Sequence, residues 1–328
     1  MQKRSKRFAL IGVAALALCL AAAMFLITGC SSEPEKEESP AVLAPQDKEP
    51  TDSTPASTPT EPFYVLIVGN DSRQGTAQAA DGAVYSDTIM LTRVDPVNYK
   101  VTTVSIPRDT ETWMDGQVYK INDAYEQGGV EKLAQEVENL TGVHADYYFE
   151  MGFAQFINFI NTLGGVDVYV PVPMTFADVM TNNDISLEEG DQHLNGNEAL
   201  VYSRVRKIYY EAGEACRQIN DRRVVAAALQ YVANNPDVIP GAVSALYDNV
   251  ASTNWDRAQF EALVQDFAAH SDQFQVLGGT GPYEGGIEES SGIWVAWRDE
   301  DTYHAIIDLV NQGGDPNEIV TPPEQILE

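Results

Sequence analysis

The sequence predicts an α/β protein, with a central β-sheet flanked by helices on both faces. Three observations carry this: β-branched runs of strand length, segments with helical spacing that alternate with them, and short connections built from Gly, Asn and Asp. Phe63 to Val68 is a continuous apolar run ended by Gly69, as in a buried strand. Thr88 to Val94 and Val101 to Ile106 are further strands, separated by the hairpin-length spacer Asp95-Pro96-Val97-Asn98. Val130 to Leu140 has helical spacing, entered from Gly128-Gly129 and left before Thr141-Gly142. Tyr147 to Phe149 reads as a short strand. Phe153, Phe156, Ile157 and Ile160 share one face of a helix that ends at Gly164-Gly165 and feeds the strand Val166 to Val170. Glu198 to Tyr202 and Val224 to Val232 read as helices. Signals weaken after Asn234: a helix over 256–269, a strand near 273–277, a Gly-rich loop, a helix over 299–311 and a Pro-containing tail.

Ahead of the first strand the composition changes twice. Residues 1–30 read as a targeting segment, with Lys3, Arg4, Lys6 and Arg7 before an uncharged run from Phe8 to Ile27 that is long enough to span a bilayer. Basic residues before the run keep that end in the cytoplasm and place the rest outside. Ile27-Thr28-Gly29-Cys30 resembles the bacterial lipobox, so the chain is expected to be a lipoprotein, with an uncleaved single-pass signal anchor as the alternative. Both tether it to the outer face of the cytoplasmic membrane. Residues 31–61, rich in Ser, Thr, Pro and Glu, read as a disordered linker. Residues 62–234 then read as a folded domain and 235–328 as a C-terminal extension packed on it or following it.

Composition narrows the function classes. Of 328 residues, 44% are hydrophobic, which supplies a sizeable core and excludes disorder over most of the length. A net charge of −29 repels a phosphate backbone, so no nucleic-acid partner is expected. Cys19, Cys30 and Cys216 make no disulfide framework, and the four histidines are too scattered for a zinc site. The phosphate-loop, nucleophile-elbow and dinucleotide fingerprints are absent.

On so acidic a chain the placement of cations is informative. Arg204, Arg206, Lys207, Arg217, Arg222 and Arg223 all fall within twenty positions. The cluster is either a helix face paired with Glu211, Glu214 and Asp221 or a phosphate site, where guanidinium forks bind bidentately. Asp71 follows the first strand, in Gly69-Asn70-Asp71-Ser72-Arg73, and Asp87 precedes the second, in Ser86-Asp87-Thr88. Two carboxylates at one sheet end either cap a turn and a strand or hold a hard divalent cation such as Mg²⁺ or Mn²⁺. The third strand runs into Ser105-Ile106-Pro107-Arg108-Asp109, where Pro107 fixes the backbone and presents Arg108 at a strand terminus.

These segments, with Lys120-Ile121-Asn122, Leu163-Gly164-Gly165-Val166-Asp167-Val168 and Ala199-Leu200-Val201-Tyr202-Ser203-Arg204-Val205-Arg206, resemble in order the LytR-CpsA-Psr family of cell-envelope proteins. The resemblance implies transfer of a glycopolymer from a polyprenyl-pyrophosphate carrier to peptidoglycan through a phosphodiester, with pyrophosphate hydrolysis as a side activity. It further implies a hydrophobic pocket for the prenyl chain between sheet and helices, a divalent cation on Asp71 and Asp87, and the pyrophosphate on the catalytic cations Arg108, Arg204, Arg206 and Arg217. Arg73, Lys120 and Arg222 are added as substrate-binding candidates. For Arg204 and Arg206 to share a side, the helix begun near Glu198 should unwind at about Ser203, because residues two apart diverge on a helix but not on an extended segment.

The chain also departs from the family pattern. An Asp followed by Arg-x-x-Arg-Gln is usual; here the stretch is Glu214-Ala215-Cys216-Arg217-Gln218-Ile219-Asn220-Asp221, and Tyr85 stands where an Arg often precedes Ser-Asp. Asp221 should repel a pyrophosphate and, four residues after Arg217, can pair with it. These departures motivate a rival: a non-catalytic polyprenyl-phosphate binding or escort protein. Transcriptional regulation is disfavoured by export, acidity and the lack of a helix-turn-helix.

Overall fold

A computed structural model describes residues 59–78 and 82–323. The expected targeting segment at 1–30, including Cys30, and most of the expected linker lie outside the described residues.

The chain begins with three strands, β1 (Phe63–Asn70), β2 (Ser86–Asp95) and β3 (Lys100–Ser105), then a hairpin of β4 (Glu111–Met114) and β5 (Gln117–Lys120). Next come α1 (Ile121–Thr141), β6 (Tyr147–Met151), α2 (Phe153–Thr162), β7 (Val166–Val170), β8 (Met174–Ala177), β9 (Asp184–Leu187) and β10 (Gly190–Leu194). Three helices follow, α3 (Gly196–Arg204), α4 (Gly213–Asn234) and α5 (Ile239–Asn249), then β11 (Ser252–Thr253), α6 (Arg257–Ala269), β12 (Gln275–Thr280), β13 (Gly285–Ile287), β14 (Trp294–Ala296) and α7 (Glu300–Asn311).

The main sheet has the order β11-β6-β1-β2-β3-β12. β2 is antiparallel to both β1 and β3, while β6 runs parallel to β1 and β12 parallel to β3. Successive residues of β1 serve opposite cores, which is why its sequence is apolar without alternation. Phe63 and Val65 pack with α2 to α6 on one face, whereas Leu66 and Val68 pack with Leu133 and Val137 of α1 and Tyr303 and Ile307 of α7 on the other. Helices therefore cover both faces of the sheet.

Residues beyond 234 are part of this architecture: β11 and β12 extend the sheet at its two edges, and α5, α6 and α7 cover its faces. The extension is packed into the sheet that residues 62–234 begin. β12 lies slightly later than the expected strand and contains Gly278-Gly279. A side chain at Gly279 would meet Pro316 Cβ at 2.8 Å, so glycine is required for the 316–318 turn to lie against the strand.

Helix α1 starts nine residues earlier than expected, at Ile121 rather than Val130. Gly128 (φ −159°) and Gly129 (φ 67°) leave helical geometry inside it, so a first segment anchored by fully buried Ile121 and Ala124 is joined to the expected one by a kink.

Candidate functional site

The C-terminal ends of β1, β3 and β6 and the N-terminal end of β2 meet at one edge of the fold, where the ends of α3 and α4 close over them. Between them lies a cavity of about 210 Å³. Its depth is apolar, lined by Ile67, Met90, Phe156, Phe159, Ile160 and Ala228 among others, and its mouth carries Asp87, Arg108, Arg204, Arg206, Lys207, Arg217 and Asp221. The four arginines nominated as catalytic thus converge on one mouth.

Arg204 and Arg206 reach it because of how α3 begins and ends. The Asn195 side chain accepts the amides of Asn197 and Glu198 at 2.9 and 3.1 Å, and Glu198 returns a bond to the Asn195 amide at 2.8 Å, fixing the helix start. The helix holds through Arg204 and becomes extended at Val205 (φ −68°, ψ 129°), two residues later than expected. The Arg204 guanidinium lies 4.6 Å from the Phe153 ring centre and 5.4 Å from that of Phe176. Burial, then the charges of Arg73 and Arg206, lowers its pKa, and it forms no ion pair among the described residues. An anion arriving at the mouth would relieve that tension. Arg206 is half-exposed and stands 3.6 Å from Glu214.

Arg217 is in the opposite condition. Its Nε donates to Glu214 at 3.2 Å, Nη1 to Asp221 at 2.6 Å and Thr88 Oγ1 at 3.2 Å, and Nη2 to the Asp87 carbonyl at 2.7 Å and Glu214 at 2.6 Å. All five N–H donors are engaged, so this buried fork clamps α4 to β2 and has none to spare for a ligand. Burial would lower its pKa, but Glu214 and Asp221 outweigh this and hold it up. Asp221 also accepts from Thr88 Oγ1 at 2.9 Å. Burial pushes its pKa up to about 6, against the opposing pull of Arg217 and Thr88.

Arg108 pairs with Asp87 through Nη1, while its Nε, 3.7 Å from Asp109 and 3.8 Å from Glu214, is buried without a hydrogen-bond partner. The turn presenting it is held by the Thr110 amide and hydroxyl on the Pro107 carbonyl at 2.9 and 2.7 Å.

Asp71 exchanges bonds with Tyr85, its Oδ1 accepting the Tyr85 amide at 2.8 Å and its own amide donating back at 2.9 Å, so it does tie a turn. Burial raises its pKa, the Tyr85 bond opposes this, and the charge of Asp87 adds to the rise. Asp71 and Asp87 are both part-buried carboxylates at the ends of neighbouring strands, the kind of oxygen donor that Mg²⁺ or Mn²⁺ takes one or two of. Among the described residues no group of three or more His, Cys, Asp or Glu is placed to hold a metal ion.

The substrate-binding candidates separate. Arg73 is exposed at the rim, bonded to Gln78 at 2.9 Å, and close enough to Arg204 to depress its pKa. Lys120 bonds Asp109 at 2.7 Å and is not among the cavity-lining residues. Arg222 is turned away: Nη1 donates to Ser105 Oγ at 2.8 Å, its stem lies against Gly278 of β12, and burial pushes its pKa down to about 10.

Asn220, where the family usually has an arginine, is fully buried on another side of α4 and donates to the Tyr202 carbonyl at 3.1 Å and the Tyr209 hydroxyl at 3.3 Å. The mouth residues not nominated from sequence are Lys207 and the aromatic pair under Arg204. Lys207 stood in the basic cluster, but nothing in the sequence tied Phe153 and Phe176 to Arg204.

The chain is similar to proteins of known name. The polyisoprenyl-teichoic acid–peptidoglycan teichoic acid transferase TagU of Bacillus anthracis is 30% identical over 241 residues, 72% of this chain and 73% of that one. The transferase TagV of Bacillus subtilis is 36% identical over 152 residues, covering 45% of this chain and 38% of its own. The crystal structure of B. subtilis TagV superposes with a TM-score of 0.61 at 27% identity, covering 81% of this chain and 100% of that one. A model of the LytR_cpsA_psr family matches residues 28–301, and the chain belongs to that family.

Proposed function

We propose that the protein is a phosphotransferase that moves a glycopolymer from a polyprenyl-pyrophosphate carrier to peptidoglycan, joining them by a phosphodiester. The observation that carries this is the cavity itself: an apolar interior, with arginines, Lys207, Asp87 and Asp221 at its charged end, suits the part of a hydrocarbon chain nearest a pyrophosphate head. The names of TagU and TagV point the same way. The apolar wall takes the prenyl chain, and Arg204, Arg206 and Lys207 supply donors to the pyrophosphate. Arg108 adds its charge at the mouth beside Asp87, and Arg217 holds β2 and α4 in register. An acceptor hydroxyl then forms the new bond to phosphorus and releases its proton to solvent as the bond to polyprenyl phosphate breaks. Charge on the departing phosphate is met by fixed guanidinium groups, which is how phosphoryl transfer is chiefly assisted. A divalent cation on Asp71 and Asp87 would add neutralisation of the phosphate oxygens. Water in place of the sugar hydroxyl would give pyrophosphate hydrolysis.

The test is transfer from a short-chain polyprenyl-pyrophosphate glycolipid to peptidoglycan with Mg²⁺ or Mn²⁺ present. Saturable binding with no transfer would favour the escort reading, for which the full engagement of Arg217 and the carboxylate of Asp221 speak. In calorimetric titration with pyrophosphate, Arg206→Ala is expected to weaken binding about tenfold, the value of one charge-assisted hydrogen bond, at unchanged melting temperature. Asp71→Ala is expected to abolish the part of the affinity that depends on the divalent cation. Equal affinity with and without the cation in the native chain would remove Asp71 and Asp87 from the site.

We place the protein outside the cytoplasm, tethered to the membrane by its leader. Among the described residues no helix is long and apolar enough to cross a membrane. Mass spectrometry is expected to find a lipid-bearing N-terminal peptide that begins at Cys30; a peptide containing Met1 would show a signal anchor instead.

A further inference from the structure

Of the four tryptophans, only Trp255 is buried, at 4% exposure; Trp113, Trp294 and Trp297 are 57%, 42% and 44% exposed. Indole is costly to leave in water, and exposed aromatic groups on a soluble surface mark contact with something else. Two of the three stand close together, on segments joined by one β-bridge. Thr110, two residues after Arg108, bridges Ala296 in parallel, and the Ala296 amide donates to the Asp109 carbonyl at 2.9 Å. Thr110 and Ala296 are buried, and Arg298 Nη1 donates to Thr112 Oγ1 at 3.4 Å one step further on, so Glu111, Trp113 and Trp297, which alternate with these residues, lie on the other side of the two segments. A strand spacing of ~4.8 Å and a rise of ~3.3 Å per residue put the Cα atoms of Trp113 and Trp297 roughly 8 Å apart.

Both rings are fixed without being covered. Trp113 Nε1 donates to the Glu111 carboxylate at 3.1 Å. The Trp297 ring lies over Gly286, where a Cβ would come within 2.8 Å of Cζ2, and the Trp297 amide bonds the Glu284 carbonyl at 2.9 Å. Trp294 faces Ile287 across the β13–β14 hairpin, on the side away from Val295 and Gly286.

We infer that Trp113 and Trp297, with Glu111 between them, form a binding subsite for an uncharged glycan strand. Flat indole faces accept the apolar C–H faces of sugar rings, and a carboxylate between them accepts hydroxyl protons. Charge selects the occupant: a chain of net −29, with Glu111 in the platform itself, repels anionic lipid surfaces and anionic polymers but not a neutral saccharide. The location gives the subsite its use, since Trp113 follows Arg108 by five residues, across the turn over 107–110. A glycan held there would extend its hydroxyls toward the pyrophosphate. This use rests on the proposed transfer to a sugar acceptor; the binding itself does not.

Calorimetric titration of the full chain with an N-acetylglucosamine tetramer is expected to show saturable binding. Trp113→Ala is expected to weaken it at least tenfold and Trp113→Phe less, while Trp294→Ala on the other face leaves it unchanged. Trp297→Ala also removes packing on Gly286, so Trp113 is the deciding position. No binding by the native chain overturns the proposal, as does equal weakening by Trp294→Ala. Partition onto phosphatidylglycerol vesicles that is lost in Trp113→Ala would overturn it in favour of a membrane contact. A parallel pyrophosphate titration of the native chain separates the readings: glycan binding without pyrophosphate binding sinks the transferase and leaves the platform, and the converse does the reverse.

Discussion

Arg217→Met should lower the stability of the protein by about 3–5 kcal/mol, the cost of removing one partner from a buried ion cluster. The substitution keeps most of the side-chain volume, so the loss is electrostatic: Asp221 would remain in the cavity wall without its ion-pair partner, Glu214 would keep only Arg206 at 3.6 Å and Arg108 at 3.8 Å, and the Asp87 carbonyl would lose its donor. A fall in melting temperature on the order of 10 °C is expected by calorimetry. Arg217→Lys should recover little, because an ammonium has three donors where five partners wait. A melting temperature within a degree or two of the native value would show that the clamp is not what holds α4 to β2.

Asp221→Asn should act in the other direction. Asparagine keeps an oxygen for Thr88 and Arg217 but removes a negative charge from the mouth, so affinity for pyrophosphate is expected to rise roughly tenfold near neutral pH, from the Coulomb energy at several ångströms. The pH dependence gives the sign. Burial raises the Asp221 pKa from 3.8 in the reference state to about 6. A carboxyl raised on folding contributes stability that is complete below the reference value and lost as pH climbs through the folded one, because the folded state then binds more protons than the unfolded. The variant has no such loss. Urea unfolding should therefore favour it increasingly between about pH 4 and about pH 7, and its gain in pyrophosphate affinity should vanish at about pH 5. A difference in stability that is flat with pH would refute the burial of a titrating carboxyl at this position.

The strands were legible where both faces are buried. Phe63 to Val68 is apolar throughout because residues of opposite parity serve two cores, and Thr88 to Val94 and Val101 to Ile106 follow the same logic. β12 was blurred because Gly278 and Gly279 have low strand propensity and are chosen for the approach of another segment, a tertiary fact absent from local sequence. The first segment of α1 was missed because Gly128-Gly129 reads as a helix start, whereas the chain uses it as a kink. In the site, the i,i+4 pairing of Arg217 with Asp221 followed from spacing alone. What spacing could not show is that Arg217 spends every donor internally and that Arg222, one residue past Asp221, belongs to the far side of the helix beside β12.

The position of β12 bears on the order in which the molecule can assemble. Gln275 pairs with Lys100 and Thr280 with Ser105, so the two strands are separated by most of the folded sequence. Contacts so distant along the chain are made late, after the loop between them has been closed. During synthesis, β3 would have to wait with one side of its backbone unpaired, and a buried strand with an open edge is a template for other chains. The glycines and the 316–318 turn that seal β12 in place are thus the last safeguards against association, and a nascent chain that ended at Asn234 would lack them.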